Sequence, residues 1–578
     1  MKDNQKLLQN FVDLHYGKSF KFRDNQLEVI LDILEFYDEN PEGLYLLDAP
    51  TGSGKSVIAM CVAGALSFKK KRGYILASDL SLQNQYESDI SRFNIDWGSV
   101  KGVDNYMCDI NFEKFSVGDC KIKNMQMRNI KNLPCFDTCG YYSNRNKAST
   151  SKVSLLNYSY WLIQRNYVAP RMDEPLFDER DFIICDEAHK VTEIVQNHFS
   201  PNITEKTRPK LEELRKFMLD AFNLKVNVDP ANLRIVTKNL YTEENPDRIF
   251  ALVSEFEVYL REFVKIANKA KDIISKDFKD REPPRNILRG MSVCDWVKDI
   301  HCKFEDYVDI INDTGIPSMV KNPGISNISF NCIDESYLMQ KYFHKQSKFT
   351  VMMTATMGSA EKFIKTIDAK EIGESTKHTR IQSTFNFNKS PIYLYTKRRM
   401  SYKHKEETLP WVIDTIEKVL ATHQDQCGII HSGSYDIAKR IHESLSKANQ
   451  RRVLMYRDSE EKKVMLNNFN DSKNYVLIGP SLLEGLDLKD DESRFQVFAK
   501  VPFPSLADKY VKAKMDVSRE WYDWKSIVAI LQGIGRSIRN DEDWAVTYFL
   551  DGCLGDLINR NRDSFPPEFL SRLKLVKG

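Results

Sequence analysis

Short apolar runs rich in β-branched residues recur along the chain, and stretches with helical periodicity separate them. The runs fall into two sets: LYLL at 44, YILA at 74, FIIC at 182 and FTVMMT at 349, then GIIHS at 428, YVLIG at 475, VFAKV at 497 and AVTYFLD at 545. Continuous apolar strands that alternate with helices are typical of parallel sheets covered by helices on both faces. The pattern therefore predicts two α/β domains in succession.

A long helical segment interrupts the first set of strands after position 195. Two apolar faces recur there at helical spacing: Leu211, Leu214, Met218 and Phe222, and further on Ile249, Leu252, Val253, Phe256, Leu260 and Phe263. The polar stretch SKDFKDREPPRN at 275 contains a proline pair and predicts a loop. We therefore expect a helical insertion inside the first α/β domain.

Composition narrows the classes of protein and the cellular setting. At 578 residues the chain is too long for one core, and 84 basic against 81 acidic residues give a net charge of only +3, so nucleic acid would need a local basic surface. No apolar stretch suits a membrane span and MKDNQKLLQN lacks a secretory core, so we expect no membrane contact and a cytoplasmic protein, nucleoid-associated in a bacterium or nuclear in a eukaryote. Eleven cysteines then indicate reduced thiols or metal ligands.

A glycine-rich loop follows the first apolar run in LYLLDAPTGSGKSVIAM. Glycines let backbone N–H groups face phosphate oxygens at the start of a helix, where Lys55 reaches the β- and γ-phosphates and Ser56 ligates Mg²⁺. A plain glycine turn before a helix is the alternative, but the flanking strand and helix favour nucleotide binding. The predicted loop residues are Ala49, Pro50, Thr51, Gly52, Ser53, Gly54, Lys55 and Ser56.

The segment FIICDEAHK ends a second apolar run with two carboxylates and a histidine. At the carboxyl end of a parallel strand, Asp186 can hold Mg²⁺, and Glu187 can orient and deprotonate the attacking water. His189 would sense the phosphate. An isolated DEAH occurs by chance and a lone histidine is usually structural, but downstream of GSGKS the pair indicates nucleotide hydrolysis.

Two segments of the second domain add polar groups after or before its strands. QGIGRSIR carries Gln532 and the arginines Arg536 and Arg539, which lie on one helix face and could both neutralise a triphosphate. EGLDL offers three further groups in a tight loop: Glu484, Gly485 and Asp487. Taken singly these are solvated helix or loop residues; together they predict a site that requires closure of two domains.

Four thiols, Cys108, Cys120, Cys135 and Cys139, lie between the glycine loop and the DEAH segment. Only the last two have the spacing of a zinc pair, whereas a [4Fe–4S] cluster takes irregular spacings. Zinc stays open on spacing alone. Four idle buried cysteines are a poor alternative, because a polar loop cannot bury them in a core of its own.

A basic run without acidic residues lies inside the cysteine segment. Together with two adjacent tyrosines it suits a nucleic-acid strand with bases stacked nearby, and a solvated lysine loop is the alternative. The residues are Lys121, Lys123, Arg128, Lys131, Tyr141 and Tyr142.

The ordered motifs resemble those of superfamily 2 helicases: QLEV, DAPTGSGKS, DEAH, MTATM, EGLDL and QGIGRSIR. KGVDNYMC, the cysteines, CGYYSNRNKA and VPFPS resemble the XPD/DinG-like iron–sulfur branch. The resemblance implies an α/β fold of two RecA-like parallel-sheet motor domains with an iron–sulfur insertion and a helical arch insertion. One departure is Tyr158 after Asn157, where the family often has histidine.

The implied domain organisation divides the chain into six segments. The first motor domain takes 1–107, 141–198 and 341–383, the iron–sulfur insertion 108–140, the arch-like insertion 199–340, and the second motor domain 384–578.

The resemblance also implies roles for single residues. Gln26 would contact adenine, Ser81 and Gln83 would touch the DNA backbone, and the Gly485 and Asp487 loop would face ATP. Four residues would couple ATP to DNA: His189, Thr354, Thr356 and Glu484, with Ala355 between the two threonines. The implied cofactors are ATP, Mg²⁺ and a [4Fe–4S] cluster.

The function that follows is an ATP-dependent DNA helicase that moves 5′ to 3′ on single-stranded DNA and uses the iron–sulfur segment as a wedge. We expect a monomer that binds single-stranded and forked DNA; the sequence identifies no protein partner. Two other hypotheses stay open. One is an ATP-driven remodeller or clamp without strand separation, and the other is an RNA-directed motor.

Overall fold

The computed structural model describes most of the chain. The described residues are 2–50, 52–118, 120, 133–278, 284–314, 319–323, 327–369, 375–383, 387–456, 461, 465, 474–480, 482, 490–535, 537–538 and 543–577.

The strands in these residues are short and most of their residues are buried. In chain order they are β1 (Leu44–Asp48), β2 (Gly73–Ala77), β3 (Gly98–Ser99), β4 (Val153–Asn157), β5 (Phe182–Cys185), β6 (Asn202–Thr204), β7 (Met319–Pro323), β8 (Asn327–Cys332), β9 (Phe349–Thr354), β10 (Thr376–Arg380), β11 (Ile392–Tyr395), β12 (Gly428–His431), β13 (Val453–Met455), β14 (Val476–Gly479), β15 (Phe495–Phe498), β16 (Val546–Phe549) and β17 (Leu573–Val576).

The α-helices connect and cover these strands. They are α1 (Lys2–His15), α2 (Gln26–Glu39), α3 (Lys55–Phe68), α4 (Leu80–Arg92), α5 (Gly140–Thr150), α6 (Tyr158–Ile163), α7 (Val191–Phe199), α8 (Thr207–Phe222), α9 (Pro230–Thr242), α10 (Pro246–Asp277), α11 (Arg285–Thr314), α12 (Ser336–Tyr342), α13 (Ala360–Ile367), α14 (Lys405–Thr422), α15 (Tyr435–Ser444), α16 (Lys447–Arg452), α17 (Lys509–Val517), α18 (Arg519–Ile534), α19 (Cys553–Arg560) and α20 (Pro567–Ser571).

Two parallel sheets organise the molecule, as the apolar runs predicted. The first has seven strands in the order β10-β1-β9-β5-β2-β4-β3, and the second has seven in the order β13-β14-β12-β15-β16-β11-β17. Every predicted run overlaps one of these strands, although VFAKV at 497 shares only its first two residues with β15. Buried side chains on both faces of each sheet form separate apolar clusters, which explains why the runs are continuously apolar.

In its described residues, the segment predicted as a helical insertion contains the helices α8 to α11, the start of α12 and a small sheet. α10 and α11 are long antiparallel neighbours that pack through Phe256 and Phe304, whose rings lie 5.1 Å apart. The sheet is antiparallel, in the order β6-β8-β7, and helical periodicity did not predict it. Side chains along β8 alternate between buried and more exposed positions, which is the pattern of a half-buried strand.

The strand order bears on the predicted division of the chain. β10 pairs with β1 in the first sheet and β11 pairs with β16 in the second, so the predicted boundary after 383 falls between the two sheets. In the described part of the chain, no helix has the length and apolar character that crossing a bilayer requires.

Candidate nucleotide site

The glycine loop leaves β1 at the edge of the first sheet where parallel strands present ligands. Gly52 and Gly54 have φ of 82° and 77°, in the left-handed region that favours glycine. The α3 helix begins at Lys55 directly after them, so its N-terminal N–H groups face the loop. Thr51 lies outside the described residues.

Gln26, at the start of α2, lies against this loop. Its side chain is 3% exposed, its Nε2 donates to the Ser53 carbonyl at 2.8 Å, and its Oε1 accepts from the Arg23 N–H at 2.8 Å. The Arg23 guanidinium donates to the Gly52 carbonyl. A β-carbon at Gly54 would lie 2.3 Å from Gln26 Nε2. The two side chains therefore hold the loop in shape, and the adenine contact of Gln26 stays a prediction.

Asp186 lies beyond the end of β5 and is buried. Its N–H donates to the Leu76 carbonyl at 2.9 Å, and its carboxylate accepts from the Tyr86 hydroxyl at 2.8 Å and from the Glu187 N–H at 2.9 Å. Burial raises the pKa of Asp186 to about 6, against the opposing effect of Lys55. A buried carboxylate favours a divalent cation, because a cation would stabilise the charged form that burial disfavours.

Two tyrosines that the sequence analysis missed hold Asp186. Tyr86 on α4 bonds the carboxylate and also Ser56, the other predicted Mg²⁺ ligand. Tyr158 donates to the Asp186 carbonyl at 3.0 Å, which gives a role to the residue that departs from the family pattern. Burial raises the pKa of both tyrosines well above its usual value, so both stay hydroxyl donors. The sequence did contain a signal for Tyr86. It lies on the apolar face of α4, one turn before Ile90, and a buried tyrosine hydroxyl needs a hydrogen-bond partner.

His189 connects the first domain to the second. Gln532, in the last turn of α18, lies with its Nε2 2.5 Å from His189 Nε2, and His189 Nδ1 lies 2.9 Å from Thr354 Oγ1. Because Gln532 donates to Nε2, the imidazole proton is on Nδ1, where it faces Thr354 and, at 3.4 Å, Glu187 Oε2. The structure thus brings together His189, Thr354 and Gln532 from three separate motifs.

The end of β9 carries this contact further. The Thr356 N–H donates to Thr354 Oγ1 at 3.2 Å, and the Trp524 indole N–H donates to the Met357 carbonyl at 2.9 Å. The Thr354 carbonyl accepts from the Ala49 N–H at 2.9 Å. A displacement of α18 would therefore change the positions both of Thr356 and of the start of the glycine loop.

A second bridge between the domains, also missed from the sequence, begins at Asp48. Arg380 Nε lies 3.6 Å from Asp48 Oδ2, and Arg380 Nη2 lies 3.3 Å from Glu568 Oε1 on α20. Burial raises the pKa of Asp48 to about 6, although Arg380 opposes the shift. The arginine thus ties the strand before the glycine loop to the second domain.

Several predicted site residues lie outside the described residues. These are Thr51, Arg536, Arg539, Glu484, Gly485 and Asp487 in the nucleotide site, and Lys121, Lys123, Arg128 and Lys131 in the basic run. Gln532 places the described end of α18 at the nucleotide edge, and the roles of the two arginines beyond it stay predictions.

The four cysteines of the predicted iron–sulfur segment converge. Cys108, Cys120 and Cys139 are buried and Cys135 is partly exposed. Burial raises the pKa of Cys135, and the charges of Cys139, Cys108 and Cys120 raise it further, so the four thiols are close enough to interact electrostatically. The Cys139 N–H donates to the Cys135 carbonyl at 2.7 Å, which fixes the last pair in one turn.

Aromatic side chains surround these thiols. Phe115 lies 4.5 Å from Tyr141 and 5.2 Å from Tyr142 between ring centres, and Phe136 lies 5.3 Å from Tyr142. The Tyr142 hydroxyl is 3.9 Å from Cys120 Sγ. Tyr141 and Tyr142 are 6% and 4% exposed, which argues against the predicted stacking on DNA bases. Both rings pack in one apolar cluster with Cys120 and Cys139.

The two residues predicted to touch the DNA backbone differ in exposure. Ser81 is exposed at the start of α4. Gln83 is 0% exposed; its amide donates to Ser99 Oγ at 3.0 Å and to the Val100 carbonyl at 3.1 Å, and accepts from Asn157 at 3.2 Å. Its burial argues against a DNA contact, because its polar groups already pair inside the protein.

Two family models match the chain. One is described as the helicase C-terminal domain and covers residues 416–566; the other is the res subunit of type III restriction enzymes and covers residues 19–211. Together they include the glycine loop, the DEAH segment and Gln532.

Two curated proteins are similar over most of the chain. One, from Haemophilus influenzae, is named ATP-dependent DNA helicase YoaA and is 18% identical over 73% of this chain and 67% of its own length. The other, from Methanocaldococcus jannaschii, is named "Probable ATP-dependent helicase MJ0942" and is 20% identical over 93% of both chains.

Solved structures share the fold. The structure of S. tokodaii Xpd4 has a TM-score of 0.56 at 13% identity and covers 96% of this chain and 100% of its own. An XPD helicase structure has a TM-score of 0.58 at 15% identity and covers 97% of this chain and 100% of its own.

Tyr86→Phe is expected to raise the pH at which hydrolysis begins. The hydroxyl lowers the pKa of Asp186, so its loss raises that pKa, and protonation competes with Mg²⁺ up to a higher pH. A bond to a charged group is worth about 1.5–3 kcal/mol, which corresponds to an upward shift of about one to two pH units in the acid limb of kcat/KM. Tyr158→Phe is the matched control, since its hydroxyl bonds the Asp186 carbonyl; equal acid limbs in both variants would contradict the assignment.

Proposed function

The chain is an XPD/DinG-like superfamily 2 helicase, and from this premise we propose that it couples ATP hydrolysis to unwinding of DNA while moving 5′ to 3′ on a single strand. The contact between Gln532 and His189 is the observation that supports the proposal best. A helicase must convert the state of a phosphate into relative motion of two domains, and this contact joins the second domain to the residue beside the catalytic carboxylates.

We assign the chemistry to residues at the ends of β1 and β5. Lys55 and the loop N–H groups bind the β- and γ-phosphates, while Ser56 and Asp186 hold Mg²⁺. Glu187 orients the attacking water and accepts its proton. Arg536 and Arg539 neutralise the charge that spreads over the phosphate oxygens, as the sequence predicts.

His189 then reports the bound nucleotide to both domains. With its proton on Nδ1, the ring lies near Glu187 on one side and bonds Gln532 on the other. A change at Glu187 during hydrolysis alters the hydrogen bonding of Nδ1 between Glu187 and Thr354. Through Thr354 and Thr356 this change reaches α18, and we propose that it drives the step along DNA.

The four-cysteine segment fits a [4Fe–4S] cluster. The segment supplies four thiols, three of them are buried, and Cys120 and Cys139 pack in one apolar cluster with Phe115, Tyr141 and Tyr142, which is the donor set and the environment that such a cluster takes. When bound, the cluster would cross-link four distant points of the chain. We propose that Cys108, Cys120, Cys135 and Cys139 hold it and that the stiffened segment separates the duplex as a wedge.

The DNA path is proposed from the remaining predicted contacts. Ser81 is exposed beside the nucleotide edge, and the basic run from Lys121 to Lys131 follows Cys120 in sequence. Phosphate contacts from such a run are independent of base sequence. We leave out Gln83, Tyr141 and Tyr142, because they are buried. Single-stranded and forked DNA as partners, a monomeric state and a cytoplasmic location belong to the same proposal.

Lys55→Ala should abolish DNA-stimulated ATP hydrolysis and strand displacement, because the phosphates lose the cation that binds them. Both activities are measured on duplexes with a 5′ or a 3′ single-stranded tail, and unwinding by the native chain is expected only with the 5′ tail. Lys439→Ala, a 64% exposed lysine on α15, is the matched control and should keep full activity. DNA-stimulated hydrolysis without displacement by the native chain would instead support the clamp hypothesis, and stimulation by RNA alone the RNA motor.

Gln532→Ala should uncouple the domains while leaving nucleotide binding intact. We expect DNA-stimulated hydrolysis and displacement to fall at least about tenfold, the equivalent of about 1.4 kcal/mol for one lost bond, while the Kd for a fluorescent ADP analogue stays unchanged. Gln340→Ala is the control. It removes a side-chain hydrogen bond within the first domain, from Gln340 Nε2 to the Asp368 carbonyl, and should change neither the two activities nor the Kd. Normal displacement by Gln532→Ala would refute the role of this contact.

Cys108→Ser should lose strand displacement while retaining ATP hydrolysis in the absence of DNA, since the nucleotide site is built from other elements. Iron and acid-labile sulfide, measured after anaerobic purification, should fall with displacement. Cys553→Ser, a partly exposed cysteine on α19, is the control. Zinc in place of iron in the native chain would contradict the cluster, and normal displacement by Cys108→Ser would contradict the wedge.

A further inference from the structure

We propose that α11 carries a second metal site, separate from the nucleotide site and from the four cysteines, formed by His301, Cys302 and Glu305. One imidazole nitrogen, the thiol sulfur and a carboxylate oxygen of these residues all lie within 4.8 Å of one another. His301 and Glu305 are four residues apart, so they lie on one face of the helix, and Cys302 is adjacent. The three donors occupy little more than one helical turn.

A buried carboxylate on the neighbouring helix orients the histidine. His301 Nε2 lies 2.8 Å from Glu257 Oε1 on α10, and the Glu257 side chain is 4% exposed. Arg261 donates to both oxygens of the same carboxylate, at 3.0 and 2.8 Å. Metal-binding histidines typically donate their second nitrogen to such a carboxylate, which fixes the ring and raises its basicity.

This hydrogen bond determines which nitrogen is available. When Nε2–H donates to Glu257, Nδ1 carries a lone pair, and Nδ1 lies 3.9 Å from Glu305 Oε2. Two acceptors then face each other across a gap that a cation would fill.

The donor set indicates the class of metal. Imidazole and thiolate ligands favour Zn²⁺ and related divalent ions over Mg²⁺ and Ca²⁺. Three protein ligands leave the fourth position of a tetrahedral ion for water. Around Cys302 the carboxylates of Asp299 and Asp306 add negative charge, and Lys341 is paired with Asp306. Among the charged groups that act on Cys302, the three carboxylates of Asp306, Glu305 and Asp299 oppose the single cation Lys341.

Zn²⁺ bound there would stabilise the arch-like insertion. Glu257 and His301 come together because α10 and α11 pack through the adjacent Phe256 and Phe304. The metal would fix one turn of α11 and, through His301 and Glu257, hold α10 against it. Asp306, the residue after Glu305, pairs with Lys341 on α12. The site therefore lies where the insertion joins the first domain.

The test uses the full chain, purified with its iron content intact and freed of loosely bound metal. Zn²⁺ is titrated in competition with a chromophoric chelator, and about one equivalent is expected to bind beyond the metal already present. Cys302→Ser and Glu305→Gln should weaken binding at least about tenfold, and Glu257→Gln about 10–100-fold. Cys553→Ser and Glu262→Gln are the matched controls and should bind as the native chain does.

A second readout identifies the ligands and separates this site from the four cysteines. Co²⁺ bound in place of Zn²⁺ should show thiolate-to-metal absorption that Cys302→Ser removes and that persists in a Cys108→Ser background. Equal Zn²⁺ affinity in Cys302→Ser, in Glu305→Gln and in the native chain would overturn the proposal. So would a signal that depends on Cys108 alone. Neither result would bear on ATP hydrolysis or strand displacement, so the proposed function is judged separately.

Discussion

The parallel pairing of β1, β9 and β5 is the constraint on which the functional site depends. β9 lies between the other two strands, and all three run in one direction. Their carboxyl ends therefore meet at one edge, where β1 delivers the glycine loop, β9 delivers Thr354 and β5 delivers Asp186. These segments are far apart in sequence, and no local interaction would bring them together. The burial of apolar side chains on both faces of these strands supplies the free energy that holds them together.

At this edge, two carboxylates are buried, and each has partners of a different kind. The Tyr86 hydroxyl and the Glu187 N–H donate hydrogen bonds to Asp186. Arg380 instead forms ion pairs with Asp48 and with Glu568 of the second domain. Burial raises the pKa of both to about 6. A cation would stabilise the charged forms of two such carboxylates, and contacts from the second domain would stabilise them further. Under the proposed function, electrostatics as well as the His189 hydrogen bonds would link nucleotide binding to domain closure.

Residue type and spacing predicted the strands and the glycine loop, because those depend on local backbone geometry and on a periodicity that burial imposes; the phosphate contacts stay predictions. Residue type and spacing did not predict which polar residues are buried. Gln83 was taken as a DNA contact and is in the core, Tyr141 and Tyr142 were taken as base-stacking groups and enclose thiols, and Tyr86 was missed. Each of these side chains finds its partner on another element, and a helix pattern carries no information about that partner.

The sequence by itself determined that the chain has two parallel-sheet domains, a phosphate-binding loop, an acidic pair and four grouped cysteines, since strand periodicity and motif spacing are written along the chain. Only the tertiary structure decided that Gln532 bonds His189, that Arg380 joins Asp48 to Glu568, and that Glu257 orients His301. These contacts join residues from different elements, in two cases from different domains. Their geometry follows from how whole sheets and helices pack, which is a property of the folded chain and not of any segment of it.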